Sequence, residues 1–496
     1  MSSTNQLKNQ HLMWRAGFGP AVEQLKDLSG YSPKQFYKAL VKAADKKPEY
    51  IDVADDYLKG LMMGFEEVGR QQKKELDKDE RKKIQQKNRE GVRNLNMYWM
   101  HEMVNTASQL REKMAFFWHG HFACRNLNVF YQQGLLDVIR KNALSDFGTL
   151  LKEVSKSAAM LNFLNNQQNK KDHPNENFAR EVMELFTLGR GNYTETDVKE
   201  AARAFTGWGA NIQGEFQFRR FQHDGGNKTV LGKTGNFDGD AVLDILLEQK
   251  QTARYIARKV YRFFVNEKVD DAKAEWLADR FYKNSYDIAR LMEDIFTSEW
   301  FYDEKNIGAQ IKSPVELLVG IQRMLPMKLE NEEALMILQR VLGQLLFYPP
   351  NVAGWPGGKA WIDSSSLMMR MRIPKLINDV DTMNVKPKDD DDTMMGMKDD
   401  DTMKGVNKPG GKQAAGAYAG VRRQQINANV DWGQYVKYYE STERENLAET
   451  ISRILLQTRT GVGMDIIKQY SDQSGRENFI KTATLQIMST PEYQLC

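Results

Sequence analysis

The sequence predicts a mainly α-helical protein with several packed helical subregions, one small β-hairpin and an acidic linker. Over most of the chain, apolar residues recur at the 3.6-residue spacing of amphipathic helices. Strand-like alternation is confined to the neighbourhood of Phe216 and Phe218, and a turn signal at residues 224–226 follows it. The length of 496 residues is too great for one simple core, so two or three packed subregions are expected.

The first third of the chain predicts helices of two kinds. Ser32 followed by Pro33 is a usable N-cap and first helical residue, so a helix is expected to begin there. Residues 56–113 are dense in charge and predict long, solvated helices that form a charged helical arm. The stretch 110–125 is far more apolar, and residues 135–164 predict two further amphipathic helices.

Residues 175–208 predict two helices joined by a short glycine connection. Apolar side chains at helical spacing form one stripe on the first helix: Phe178, Val182, Leu185 and Phe186. Its other face carries hydrogen-bonding side chains: Asn177, Arg180, Glu181 and Glu184. Gly189 stands where a left-handed C-cap is expected, and Thr194 with Asp197 resembles a capping box for the second helix.

The second half of the main body predicts a hairpin followed by more helices. The hairpin is placed within residues 210–234, and Asp240 is an N-cap candidate for helices that continue to about residue 345. Residues 348–361 form a rigid loop dense in proline, glycine and tryptophan. Within it, Trp355 and Trp361 are candidate binding residues, because aromatic side chains are common in contact surfaces.

The expected organisation has three parts. Residues 1–378 form the main helical body, residues 379–420 a disordered linker, and residues 421–496 a C-terminal helical segment that docks on the body. The linker holds acidic runs and an imperfect methionine-containing repeat, with too little apolar surface to offset the entropy of ordering. The glycine-bearing spacing of an EF-hand is absent, so a solvated linker is favoured over a calcium site.

Composition excludes several classes of protein. The net charge is only +4 and is spread along the chain, which gives no electrostatic case for nucleic acid. Two cysteines cannot supply a disulfide framework or a cysteine-rich zinc site. No stretch approaches the ~20 apolar residues of a membrane span. The first residues lack a signal-peptide layout, so a cytoplasmic location is expected, or export if a signal was trimmed.

The candidate chemistry is a histidine and carboxylate site. Positions two apart on a helix point about 200° from each other, so His119 and His121 can converge only if Gly120 breaks the helix. Neutral imidazole with carboxylates suits zinc, iron or manganese, which makes a divalent metal ion the candidate cofactor. The candidate metal ligands are His119, His121, His223 and Glu181. The candidate catalytic residues are Glu181, His223 and Asp224, and Arg180 is a further candidate binding residue.

Two classes of function remain open. The first is a metal-dependent enzyme, hydrolytic or oxidative, that uses this site. The second is a non-catalytic helical scaffold or partner-binding protein, in which the histidines belong to the core and Arg180 forms a structural ion pair. In that case Trp355 and Trp361 serve a docking surface. Convergence of three candidate ligands in one cavity would favour the enzyme.

Several long motifs resemble a bacterial family known as domain of unknown function 1800. They lie in family order from about residue 11 to 374 and include HLMWRAGFGP, LREKMAFFWHGHF, NENFAREVMELFTLGRG, QTARYIARKVYRFFV, IKSPVELLVG and LLFYPPNVAGWPGGKAW. The resemblance implies a mainly helical protein with no established activity. It also implies frequent export, and a phosphatase-like protein as a candidate partner because the two families are often encoded together. The chain departs from the family by lacking an export signal and by carrying Phe186 where histidine is frequent.

Overall fold

Helices dominate the fold, which confirms the predicted class. The computed structural model describes residues 4–67, 77–211, 213–378, 382–383, 424–425 and 428–496. The helices of the first half are α1 (Asn5–Arg15), α2 (Asp27–Gly30), α3 (Pro33–Ala44), α4 (Asp56–Glu67), α5 (Lys78–Asn105), α6 (Gln109–His121), α7 (Val129–Lys141), α8 (Phe147–Lys156), α9 (Ala158–Phe163), α10 (Asn177–Glu181) and α11 (Glu195–Ala204).

The second half of the chain is also mainly helical. Its helices are α12 (Gly239–Glu248), α13 (Lys250–Phe264), α14 (Asp271–Lys283), α15 (Ile288–Phe296), α16 (Pro314–Met324), α17 (Glu333–Val341), α18 (Ser364–Asn378), α19 (Gly433–Tyr438), α20 (Leu447–Leu455), α21 (Met464–Gln469) and α22 (Arg476–Met488). None of the described helices combines the length and the apolar composition needed to cross a bilayer.

Local capping signals account for several helix boundaries. The Ser32 side chain accepts a hydrogen bond from the Gln35 backbone N–H, with Pro33 as the first helical residue, as predicted. Thr194 and Asp197 form the predicted capping box of α11. The predicted N-cap of α12 was wrong by two residues. Asp238, rather than Asp240, caps this helix by accepting a hydrogen bond from the Ala241 N–H. Both aspartates stand at the start of one helical pattern, so spacing alone did not separate them.

The central helix pair is present as predicted. Helix α10 passes directly into a π-helical turn at Val182–Thr187, and its apolar stripe is buried at Phe178, Val182 and Phe186. Gly189 ends this helix with a φ of 79°. The stripe therefore fixes the first helix against the core, and the glycine turns the chain toward α11.

The predicted hairpin region contains two separate antiparallel strand pairs. Strands β1 (Trp208–Ala210) and β2 (Phe216–Phe218) pair with Trp208 opposite Phe218, and β3 (Lys228–Val230) pairs with β4 (Lys233–Gly235). Residues 224–226 lie between the two pairs rather than at a hairpin turn, so that detail of the prediction was wrong. The glycines correctly indicated a bend of the chain at these residues, and side-chain contacts of Asp224 stabilise this bend.

Further short strands join distant parts of the chain. Strand β5 (Met327–Leu329) pairs with β8 (Ala428–Val430), and β6 (Thr382–Met383) pairs with β7 (Gln424–Gln425). Apart from residues 382–383, the predicted linker at 379–420 lies outside the described residues. The end of the chain lies against the body, where the backbones of Gln310 and Cys496 exchange two hydrogen bonds of 3.1 and 2.8 Å.

Candidate anion-binding cleft

Helix α6 places the two histidines of the WHGHF segment in different surroundings. The helix continues through Gly120 to His121, so the break at Gly120 that convergence of the two imidazoles would require is absent. Its N–H···O=C ladder persists because glycine costs a helix only ~1 kcal/mol relative to alanine. His119 is buried against aromatic rings, with its ring centroid 5.1 Å from that of Trp99 and 5.5 Å from that of Trp355. Burial lowers the pKa of His119 to about 3.

His121 has one ring nitrogen engaged and one without a partner. Its Nε2 lies 3.2 Å from the Phe186 carbonyl oxygen, and since that oxygen only accepts, Nε2 donates and Nδ1 carries the lone pair. Nδ1 is buried and has no hydrogen-bond partner within the described part of the chain. Burial, with the positive charge of Lys259, lowers the pKa of His121 well below its ordinary value. The ring is therefore neutral at pH 7 and presents an acceptor.

Glu181 and Arg180 lie elsewhere, on the central helix pair. Arg180 donates to both carboxylate oxygens of Glu195, at 2.8 and 2.7 Å, and to Glu176 at 3.1 Å. Burial and then the charge of Glu184 raise the pKa of Glu181. The guanidinium of Arg180 is thus engaged in ion pairs that join α10 to α11.

His223 and Asp224 are held by local contacts. The His223 Nδ1 donates to the Thr206 carbonyl oxygen at 3.0 Å. Asp224 accepts from the Arg203 guanidinium at 2.7 Å and from the Gly226 N–H at 2.8 Å. The Arg203 hydrogen bond holds the pKa of Asp224 below its ordinary value. These contacts account for the bend that was predicted as a hairpin turn.

The candidate metal ligands do not come together. His119 and His121 lie on different sides of α6, Glu181 lies on α10, and His223 follows β2 with its Nδ1 hydrogen-bonded to the Thr206 carbonyl oxygen. Across the described residues, no group of three or more His, Cys, Asp or Glu side chains is placed to hold a metal ion. Convergence, the criterion that favours a metal enzyme, is therefore not met by these four residues.

A different site gathers three of the predicted residues around one cavity. His121, Trp355 and Trp361 all line a cleft of about 600 Å³. Its walls come from α1, α6, α13, the start of α16, the loop at 348–361 and the end of the chain. The principal lining residues are Arg15, Phe116, Phe117, Gly120, His121, Lys259, Arg262, Phe263, Glu267, Gln310, Ser313, Glu316, Gln344, Trp355, Trp361 and Cys496.

Gly354 and Gly120 bring the tryptophan loop against α6. Gly354 has a φ of 82°, and a Cβ placed on it would lie 2.5 Å from the Gly120 carbonyl oxygen. Only glycine permits this backbone contact without strain or displacement. A Cβ placed on Gly120 would meet nothing within 4 Å. Gly120 therefore leaves space at the wall of the cleft instead of breaking the helix.

Two side-chain carboxylates line the cleft, Glu267 and Glu316, and the buried one, Glu316, is already paired. Glu316 accepts from the buried Lys113 ammonium and from the Ser313 N–H, the latter at 2.7 Å. Burial alone would raise the pKa of Glu316, but Lys113 and the hydrogen bonds hold it below the ordinary value. Glu316 therefore neutralises the charge of Lys113. It is not a direct partner of the other cations in the cleft.

Positive charge in the cleft exceeds what the described carboxylates balance. Lys259 is partly buried and Arg262 is exposed, and neither forms an ion pair with any described residue. Burial, with the charge of Arg262, lowers the pKa of Lys259 to about 8. Arg15 is 2% exposed and donates to the Asn306 carbonyl oxygen at 3.2 Å, while its Nε has no described partner.

Two more buried cations lie behind this wall. The Lys312 ammonium lies 3.8 Å from the ring centroids of both Trp14 and Tyr493, and burial lowers its pKa to about 7. Arg370 donates to the Lys312 carbonyl oxygen at 2.9 Å, and burial lowers its pKa to about 10. These side chains add to the positive potential of the same region.

Most of the residues that line the cleft lie in the motifs that resemble the family, and these motifs fall within the range matched by a family model. A model described as "Protein of unknown function (DUF1800)" matches residues 11–495. The chain belongs to this family. The matched range includes every cleft residue named above except Cys496. No curated protein and no solved structure matches the chain at a significant level.

The charged residues of this region were not predicted from the sequence. Those that line the cleft are Arg15, Lys259, Arg262, Glu267 and Glu316, and three further cations, Lys113, Lys312 and Arg370, are buried beside it. A usable signal was nonetheless present, because several stand inside apolar motifs such as WRAGF, REKMAFFW and IKSPVELL. Charged residues are rarely fully buried without a partner, so charges inside such runs indicate buried ion pairs or a ligand site.

Proposed function

We propose that this cleft binds a small molecule carrying an oxyanion, and that the protein is an enzyme acting on it by proton transfer. The observation that carries the proposal is the pair of cations, Lys259 and Arg262, that line the cleft without a carboxylate partner among the described residues. Withdrawing charge from water is costly unless an opposite charge compensates it. An anionic ligand supplies that compensation.

A second buried charge cluster in the molecule provides a contrast. Glu112 is fully buried, yet its carboxylate accepts from Arg111 at 3.1 Å, from Arg140 at 3.0 Å and from Trp99 Nε1 at 2.9 Å. There the cations and the carboxylate satisfy one another, as expected of a structural cluster. The cations of the cleft lack this compensation, which favours a ligand-binding role.

Lys259 is suited to proton transfer, and His121 is suited to accept a hydrogen bond. Neutral His121 presents an unpartnered Nδ1 lone pair. Lys259, with a pKa of about 8, populates both charge states near neutral pH. General acid–base groups are most effective when their pKa lies near the working pH. We assign anion binding and proton transfer to Lys259, and acceptance of a hydrogen bond from the ligand to the Nδ1 of His121.

The two functions drawn from the sequence receive less support. A metal-dependent enzyme using His119, His223 and Glu181 would need these side chains to converge, and they lie apart. A docking surface built on the tryptophan loop would need exposed rings, whereas Trp361 is 7% exposed and lines the cleft. The enzyme class is retained, with a cationic cleft in place of a metal centre.

The test is anion binding to the full chain. Methanesulfonate and benzenesulfonate keep one negative charge over the working pH range, and ligand-observed NMR detects millimolar dissociation constants. Lys259→Met and Arg262→Gln should each weaken binding by about tenfold, the effect of losing one charge-assisted hydrogen bond. Lys250→Met is the matched control on the same helix, because that lysine pairs with Asp279 at 2.6 Å. Equal binding by wild type and all variants, or no binding, would refute the proposal.

A further inference from the structure

Building on the proposed function, we propose that the ligand is an aromatic oxyanion, with a flat ring against the tryptophan loop and its anionic group at Lys259 and Arg262. The cleft has two chemically distinct parts. One part carries the unpaired cations, and the other is aromatic, formed by Phe116, Phe117, Phe263, Trp355 and Trp361. A ligand that matches both parts needs an apolar ring and a negative charge.

The aromatic wall is held in place from behind. One face of Trp355 stacks on His119 at an interplanar angle of 18°, which leaves the opposite face for the cleft. Phe117 and Phe263 pack at a centroid distance of 5.2 Å. His119, predicted as a metal ligand, is thus placed to position Trp355. Rigid aromatic walls favour flat ligands, because stacking needs no rearrangement on binding.

The polar side chains of the wall are largely engaged within the protein. Gln310 Nε2 donates to the Arg262 carbonyl oxygen, and Gln344 Oε1 accepts from the Val315 N–H at 3.0 Å. Ser313 Oγ accepts from the Glu316 N–H at 3.3 Å. A sugar acid would bury many hydroxyl groups and find few partners for them here, which is costly. A flat apolar ring carries no such cost.

The volume of the cleft fits a small molecule. About 600 Å³ lies within the ~300–1,000 Å³ range of small-molecule sites. One or two rings with a single anionic group fill such a space. The open position at Gly120 lies at the wall of the same space and offers a way to reduce it, because a Cβ added there meets nothing within 4 Å.

The experiment compares benzenesulfonate with methanesulfonate on the full chain. The two probes share the sulfonate and differ by the ring, so the ratio of their dissociation constants isolates the aromatic wall. Wild type should bind benzenesulfonate tighter by about tenfold or more, the effect of withdrawing one ring from water. Trp355→Ala should remove this preference and leave methanesulfonate unchanged. Trp276→Ala, at a 43% exposed tryptophan on α14, is the matched control.

A second variant covers the case in which Trp355→Ala disturbs the loop. Gly120→Leu should fill the ring space and abolish the preference, whereas Gly120→Ala should retain most of it. Benzoate and glucuronate, both carboxylates, provide the test of ring chemistry, and benzoate should bind tighter. Tighter glucuronate, or equal affinity for the two sulfonates, would overturn the aromatic proposal while leaving the anion site standing. Failure of every anion to bind would instead refute the proposed function.

Discussion

Replacing Lys259 with methionine is expected to stabilise the ligand-free protein at neutral pH. Burial lowers the pKa of this lysine from 10.5 to about 8. At ~1.36 kcal/mol per pKa unit, the difference limits the gain in unfolding free energy to ~3 kcal/mol. Because the side chain is only partly buried, solvent screening reduces that gain, and we expect ~1 kcal/mol. Methionine has a similar length and carries no charge to desolvate.

The pH dependence of the unfolding free energy tests the sign of this stabilisation independently. Below pH 8 Lys259 is protonated in both the folded and the unfolded states, so wild type bears the full penalty. Between about 8 and 10.5 the unfolded state keeps the proton that the folded state releases, so wild-type stability rises with pH. The advantage of Lys259→Met should therefore be largest at pH 7 and should disappear above pH 10.5.

Urea unfolding at pH 7 and at about pH 10 measures both quantities. Lys250→Met is again the matched control, and it should change stability by less than ~0.5 kcal/mol because that lysine is exposed. A lower unfolding free energy for the Lys259→Met variant than for wild type at pH 7 would refute the reasoning. It would mean that a partner already compensates the charge.

The remaining predictions concern the walls of the cleft. Glu316→Gln should lower the unfolding free energy by ~3–5 kcal/mol, because buried Lys113 loses its carboxylate. Gly354→Ala and Gly357→Ala should each cost ~1–2 kcal/mol from positive φ, at 82° and 75°. Gly354→Ala should cost clearly more, since only its Cβ would meet the Gly120 carbonyl oxygen. Urea unfolding measures the unfolding free energy of all three variants.

Each of these predictions has an outcome that contradicts it. Glu477→Gln, which breaks an exposed pair with Lys481, should cost no more than ~0.5 kcal/mol, and a similar cost for Glu316→Gln would mean that the Lys113 pair is not buried in solution. Equal costs for the two glycine variants would show that the tryptophan loop does not touch α6.

Much of the fold could be predicted because its determinants are local. The contacts of Ser32 with Gln35 and of Thr194 with Asp197 each join residues three positions apart and set the start of a helix, so a single sequence is enough to predict them. The pairing of Met327–Leu329 with Ala428–Val430 joins segments about a hundred residues apart. No turn chemistry links them, so periodicity and propensity carry no information about that contact.

The site was predicted in part for the same reason. His121 was predicted as a metal ligand because imidazole binds metal ions, and Trp355 and Trp361 were predicted as binding residues because aromatic side chains in a glycine- and proline-rich loop suit contact surfaces. Lys259 was not predicted as a site residue. It follows Arg258 in a helix, and the sequence pattern does not distinguish either residue from an ordinary solvent-exposed polar residue. The structure separates them, since Arg258 is exposed and contacts Asp271 at 2.5 Å, whereas Lys259 lines the cleft without an acidic partner in the described part of the chain. Packing against distant segments decides that difference.

Proton uptake on anion binding tests the central claim most directly. An anion bound at Lys259 favours the ammonium form and raises its pKa, so at pH about 9 the protein should take up a proton when benzenesulfonate binds. Calorimetry in two buffers with different ionisation enthalpies measures this uptake, because the probe itself does not titrate. The account predicts uptake approaching ~1 proton in wild type, and none in Lys259→Met. Binding without proton uptake in wild type, or equal uptake in the two proteins, would contradict it.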